Sequence, residues 1–122
     1  MSDKKKILIV EDEKALSRVL GLKLENAGYV VERAFNGQEA LAFLEKDDFS
    51  LIILDLMMSK MNGFDVLAQL KDLKNEIPVI VASNLSQEED LKKAKNLGAA
   101  DYFVKSDSTL DEIVDYVNKF LK

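Results

Sequence analysis

Leu51-Ile52-Ile53-Leu54-Asp55-Leu56-Met57-Met58 is an apolar run interrupted by one acid, and its reading decides the fold. Four consecutive aliphatic residues with no polar alternation do not suit a strand that faces water on one side. They suit a strand covered on both faces, as in a parallel sheet clothed by helices. Four further short apolar runs flank it, at 7–10, 30–34, 79–82 and 102–104. Ile7-Leu8-Ile9-Val10 and the run at 79–82 are almost as unbroken. Glu32 and Arg33 interrupt the run at 30–34, which places that strand nearer an edge.

Between the runs lie segments with helical spacing: Leu16, Val19, Leu20, Leu24; Phe64, Leu67, Leu70; Leu91, Ala94, Leu97; and Leu110, Ile113, Val114, Val117, Leu121. Asn36 with Glu39, Ser86 with Glu89, and Thr109 with Glu112 each place a capping residue three positions before a carboxylate. Gly28 and Gly98 follow the first and fourth helical segments, where a left-handed residue commonly ends a helix. The single proline, Pro78, stands just before the fourth strand, where a missing N–H is tolerated. The pattern predicts an α/β fold of five strand–helix units. Right-handed crossovers make it a five-stranded parallel sheet with helices on both faces.

The chain has 122 residues, 48% hydrophobic and 32% charged, which fits one globular domain. Its net charge of −5 argues against a general nucleic-acid binder, and no direct nucleic-acid contact is expected. Without cysteine or histidine it has no thiolate or imidazole metal site, no cysteine nucleophile and no Ser-His-Asp chemistry. The basic Lys4-Lys5-Lys6 precedes too short an apolar run for an export signal, and no stretch approaches a membrane span. A cytoplasmic protein with no membrane contact is expected.

In an open parallel sheet, sites form beyond the carboxyl ends of the strands. There stand Glu11 and Asp12 after the first strand, Asp55 after the third, Ser83 and Asn84 after the fourth, and Lys105 after the fifth. Each has an ordinary reading. Asp12 suits a helix cap, Glu11 a solvated charge, Ser83 a loop hydroxyl bonding local backbone, and Lys105 a surface lysine. Asp55 does not, because acids amid apolar residues are rare unless paired or metal-bound. Three clustered carboxylates repel one another unless a cation neutralises them, and oxygen-only ligands suit Mg²⁺. A carboxylate can also accept a phosphoryl group, a transfer that needs mainly alignment and charge neutralisation.

With these residues the chain resembles the receiver domains of two-component response regulators, in particular the stand-alone, chemotaxis-regulator-like ones. The resemblance spans the whole chain and rests on Glu11-Asp12, on Asp55 with Gly63 eight residues on, on Ser83, and on Lys105 after Tyr102-Phe103-Val104. It implies a flavodoxin-like (βα)5 doubly wound fold with strand order 2-1-3-4-5. It also implies a single receiver domain over 1–122 with no output domain in this chain. Asp55 would be the phosphoacceptor, served by a partner histidine kinase or phosphotransfer protein. Asp12, Asp55 and the Met57 carbonyl would bind Mg²⁺, with Glu11 acting through water. Lys105 would contact the acyl phosphate. Ser83 would move to hydrogen-bond the phosphoryl group while Tyr102 rotates inward, presenting a changed face to a downstream protein target. The implied protein is a phosphorylation switch, not a turnover enzyme, and a monomer or a phosphorylation-dependent homodimer.

Several positions depart from the family pattern. Ser59 stands where most relatives have Pro four residues after the acceptor, and Asn84 where a small residue is usual. The interval from Asp55 to Ser83 is about two residues shorter, in the loop around Asn75-Glu76. Lys105-Ser106 replaces a Lys-Pro step whose bond is cis, and a cis bond without proline costs about 2.5–4 kcal/mol. The family's geometry at Lys105 therefore rests on a step this chain lacks.

Three other readings compete. A phosphohydrolase working through an aspartyl-phosphate would place a second Asp at position 57, which is Met. A nucleotide-binding domain would turn through glycines after the first strand, where Glu11-Asp12-Glu13 stands. A receiver-like interaction module working without phosphorylation is the alternative that fits the departures. Met57 and Leu85, two residues after Asp55 and Ser83, are apolar and cannot orient an attacking water. Slow loss of phosphate is therefore predicted, and Met57→Asn with Leu85→Glu should shorten its lifetime in a timed decay; an unchanged lifetime would refute the assignment.

Overall fold

The computed structural model describes residues 4–58, 62–73, 76–84 and 88–121, the side chain of Asp107 excepted. Strands and helices alternate as the apolar runs require: β1 (Lys6–Val10), α1 (Lys14–Asn26), β2 (Val30–Ala34), α2 (Gly37–Lys46), β3 (Leu51–Leu54), α3 (Gly63–Asp72), β4 (Val79–Ser83), α4 (Glu88–Asn96), β5 (Asp101–Val104) and α5 (Leu110–Leu121). One turn of 3-10 helix, Lys105–Asp107, joins β5 to α5. All strand pairs are parallel, in the order β2-β1-β3-β4-β5. The runs at 30–34 and 51–54 coincide with their strands; the other three strands each gain one residue, Lys6, Ser83 or Asp101.

Burial follows the chemistry of the runs. Every residue of β3 and β4 is buried, and β1 is buried beyond Lys6. The edge strands β2 and β5 are mostly half-buried. Alternate side chains build two cores, one on each face. Leu8, Val10, Ile52, Leu54 and Val81 pack with Ala40, Val66, Leu67 and Ala94 from α2, α3 and α4. Ile7, Ile9, Ile53, Ile80 and Ala82 pack with Leu20, Leu24, Ile113 and Val117 from α1 and α5. Each fully buried Leu or Ile stabilises the fold by roughly 1.5–3 kcal/mol relative to an exposed one. A one-residue slip of any central strand would exchange its two apolar sets between these layers.

The helix ends follow their local signals. The Asn36 side chain accepts from Glu39 N–H at 2.9 Å. Thr109 and Glu112 bond each other's backbone N–H at 3.1 and 3.2 Å. The expected cap at Ser86 lies outside the described residues. Asn62 caps α3 by accepting from Asp65 N–H at 3.0 Å, with Asp in place of the Glu of the other two caps. Gly28 and Gly98 take φ of +104° and +103°. The stripe expected on α1 needs a correction: Val19 is 43% exposed, and Ser17 and Gly21 face inward instead. A Cβ on Gly21 would stand 3.4 Å from Arg33 Cδ, so α1 approaches the sheet too closely there for a large side chain.

Gly63 explains its own spacing. A Cβ there would fall 2.5 Å from the carbonyl oxygen of Asp55 and 2.5 Å from Leu56 Cα, both backbone atoms that cannot turn aside. Gly63 N–H also donates to Leu56 O at 3.0 Å. The first turn of α3 thus rests directly on the chain leaving β3. Gly63→Ala is predicted to cost about 1–3 kcal/mol through overpacking. Urea unfolding should show the midpoint falling at constant m; a variant as stable as the parent would contradict the contact.

Candidate functional site

Strand register builds the site. Val10 pairs with Leu54, and Leu54 with Val81, so Glu11 and Asp55 are the next residues out of adjacent strands. Their backbones stay in the ladder: Glu11 N–H donates to Ala34 O at 3.0 Å, and Asp55 N–H to Val10 O at 2.9 Å. Both carboxylates are therefore fixed by main chain, and both are buried, 5% and 6% exposed. Such burial demands partners. Met57 N–H donates to Asp55 Oδ1 at 3.1 Å, and Glu13 N–H to Glu11 Oε2 at 3.2 Å. Lys105 Nζ donates to Asp55 Oδ2 at 3.1 Å and to Glu11 Oε1.

Lys105 is thus the cation between two acids. Breaking a buried pair of this kind costs about 3–5 kcal/mol, because it leaves a buried charge uncompensated. The exposed pair Lys23–Asp111 is worth at most about 1 kcal/mol by contrast. Lys105 reaches the site although the chain contains no cis peptide among the described residues, so the Lys105–Ser106 bond is trans. Its carbonyl accepts from Ser108 N–H at 3.4 Å, closing the 3-10 turn.

Asp12 is half-buried beside this pair. The cap position of α1 belongs to Glu13, without a side-chain cap bond, so Asp12 is not spent on the helix. Glu11, Asp12 and Asp55 each offer a carboxylate oxygen, and the three lie within 4.8 Å of one another. Hard oxygen donors gathered this closely fit Mg²⁺.

Ser83, at the end of β4, is fully buried. The half-buried Tyr102 hydroxyl shares a hydrogen bond with Ser83. Burial raises the Tyr102 pKa, Ser83 opposes this, and the charges of Asp90 and Asp55 add to it. Tyr102 therefore stays a neutral phenol. Burial pushes the Glu11 carboxyl up to about 7, against the Lys105 hydrogen bond and with the help of the Asp55 charge. Burial works against the Lys105 ammonium, but Glu11 and Asp55 outweigh it and hold its pKa above the ordinary value.

The structure brings Glu11, Asp12, Asp55 and Lys105 together, with Met57 backbone on Asp55 and Tyr102 on Ser83. Asn84 is exposed and lines the same cavity as Asp55 and Lys105. Ser59 and Leu85 lie outside the described residues, as does part of the loop around Asn75. The backbone donor from Glu13 was not anticipated, since nothing separates it in sequence from the rest of the acidic run.

Comparison with known proteins gives the family. A family model of the response regulator receiver domain matches residues 7–118. A probable transcriptional regulator, ycf27, of Porphyridium aerugineum is 38% identical over 102 residues, 84% of this chain and 42% of that protein. The chain thus spans less than half of that relative's length. Among solved structures, a Francisella response regulator receiver domain is 30% identical with a TM-score of 0.90, covering 98% of this chain and 100% of that one. The Thermotoga maritima response regulator TrrA, in complex with Mg²⁺ and BeF, is 32% identical with a TM-score of 0.82 over 94% and 97% of the two chains. With five parallel strands in the order 2-1-3-4-5, this chain belongs to the response regulator receiver domain family.

Proposed function

We propose that Asp55 is a phosphoacceptor and that its modification switches a protein-binding face. The observation that carries this reading is Lys105 bridging Glu11 and Asp55 at the edge of the sheet, with Asp12 beside them. An Asp55 carboxylate oxygen attacks the phosphorus of a phosphohistidine on a histidine kinase or phosphotransfer protein. The N–P bond breaks, an acyl phosphate forms, and the imidazole leaves with its electron pair. Lys105 then holds a phosphoryl oxygen with the ammonium that now holds Asp55. Asp12, Asp55 and the Met57 carbonyl would hold Mg²⁺, with Glu11 acting through water. Bound there, the ion neutralises phosphoryl oxygens and aligns them.

The Ser83 hydroxyl is the donor for a phosphoryl oxygen, and its bond with Tyr102 is the link to the surface. Moving Ser83 toward Asp55 gives up that bond and frees the Tyr102 ring to turn inward. The chain modifies itself and does not turn over a substrate. The ycf27 relative is named for transcription, but this acidic chain matches under half of its length. We assign protein partners to it, with no direct contact to nucleic acid, in the cytoplasm; no helix among the described residues is long and apolar enough to cross a membrane.

Incubation with Mg²⁺ and acetyl phosphate is expected to add one phosphoryl group by intact mass, and to add none to Asp55→Asn or without Mg²⁺. An equal adduct on Asp55→Asn would overturn the assignment. No adduct on the parent, with Mg²⁺ titration also silent, would favour a module that works without phosphorylation.

A pH dependence follows from Glu11. Its folded pKa lies above the ordinary carboxyl value of 4.5, so protonation favours the folded, metal-free protein. That contribution is complete below pH 4.5 and is lost as pH rises toward about 7. Mg²⁺ competes with the same proton, so its affinity should rise between roughly pH 6 and pH 8. Calorimetric titration should show this rise in the parent and a flatter profile in Glu11→Gln. The same rise in both would exclude Glu11 as the group responsible.

A further inference from the structure

Both arginines of the chain, Arg18 and Arg33, line one surface groove of about 250 Å³. Arg18, Leu22 and Glu25 enter it from α1, and Val31 and Arg33 from β2, with Gly21 between them. Apart from Gly21 the lining is half-buried or exposed, and Leu22 is 49% exposed. Neither guanidinium forms an ion pair among the described residues. Two cations against the single carboxylate of Glu25 leave the groove positive, in a chain whose net charge is −5. The Arg33 stem lies on Gly21, its Cδ 3.4 Å from where a Cβ would stand, and its guanidinium carbon is 5.6 Å from the Phe35 ring centre. Packing on both sides holds that fork in place before any partner arrives.

The groove runs along an open edge. Among the described residues β2 has β1 on one side and no strand on the other. Val30 N–H donates to Lys5 O, and Ala34 O accepts from Glu11 N–H, both at 3.0 Å, so alternate residues of β2 bond toward β1. Val31 and Arg33, between them, point N–H and C=O away from the sheet. The next outward N–H, of Phe35, is taken by the Glu39 carboxylate at 2.7 Å, which ends the open stretch. This edge does not suit its own copy: full antiparallel overlap of Val30–Ala34 with itself sets Glu32 against Glu32. A strand that places an acid opposite Arg33 meets no such conflict.

We infer that an extended acidic segment of a partner protein docks here as an added strand beside β2. Its backbone bonds Val31 and Arg33, and an acidic side chain on its α1 face lies between the two guanidiniums. Apolar neighbours two residues away cover Val31 and Leu22. The groove shares no residue with the Asp55 site, so it holds a partner whether or not Asp55 is modified.

The probe is the acetylated and amidated pentapeptide Val-Thr-Glu-Thr-Val, which presents Val, Glu and Val on one face in either strand direction. Peptides with Gln or Lys in place of Glu are the comparisons. Each is titrated into the metal-free, unphosphorylated protein and followed by ¹H–¹⁵N shifts, in which two arginines give two Nε–H signals. The Glu peptide should move both Nε–H signals and the Val31 and Arg33 amides, with a dissociation constant on the order of 1 mM. The Gln peptide should bind about tenfold more weakly, and the Lys peptide weakest. Methylating the Glu and both Thr nitrogens should abolish binding, because it removes the donors to the β2 edge. Arg18→Gln, at an exposed position, should lower the affinity for the Glu peptide to that of the Gln peptide, and Arg33→Gln should do the same. Absence of shifts at Val31 and Arg33 would overturn the inference. Equal binding of the three peptides, undiminished binding of the methylated one, or unchanged affinity in both variants would overturn it as well.

Discussion

Two carboxylates held at the ends of adjacent buried strands repel each other, and the site is built around that repulsion. Neither can move away. Glu11 and Asp55 are tied through their backbones to Ala34 and Val10, and the strands behind them are buried on both faces. The compensation has to come to them. It comes from the Met57 and Glu13 N–H groups and from Lys105, whose ammonium spans both acids. A parallel sheet makes this feasible, because every strand delivers its carboxyl end to the same edge. The position of β5 and the 3-10 turn after it then serves to bring one amine to two acids.

Much of this could be read in the sequence because the determinants are local. Leu51-Ile52-Ile53-Leu54 without alternation demanded cover on both faces and received it. Glu32 and Arg33 placed β2 at an edge, and that is where it lies. Asp55 stood out because an acid in apolar surroundings must be partnered. The interval from Asp55 to Gly63 was legible only through resemblance, yet its cause is physical: a side chain at 63 would occupy the Asp55 carbonyl.

Other features were not legible, each for its own reason. The Lys105–Glu11 pair joins residues 94 apart in sequence, a distance no local pattern reports. Val19 fits helical spacing but stands outside the contact, because the buried face of α1 runs through Ser17, Leu20, Gly21 and Leu24, and apolar spacing does not report a serine or a glycine. The trans Lys105–Ser106 bond delivers Lys105 by a route that the family's Lys-Pro step did not suggest.

The functional account joins these pieces: fixed acids, a bridging amine, and a buried hydroxyl bonded to a half-buried tyrosine. Its central claim is that the phosphoryl group resides on residue 55. Borohydride reduction of the protein after treatment with Mg²⁺ and acetyl phosphate, followed by peptide mass mapping, tests this most directly, because an aspartyl phosphate is reduced to homoserine. The account predicts homoserine at position 55 and at no other aspartate. Homoserine at Asp12, or a phosphorylated protein with residue 55 intact, would contradict it.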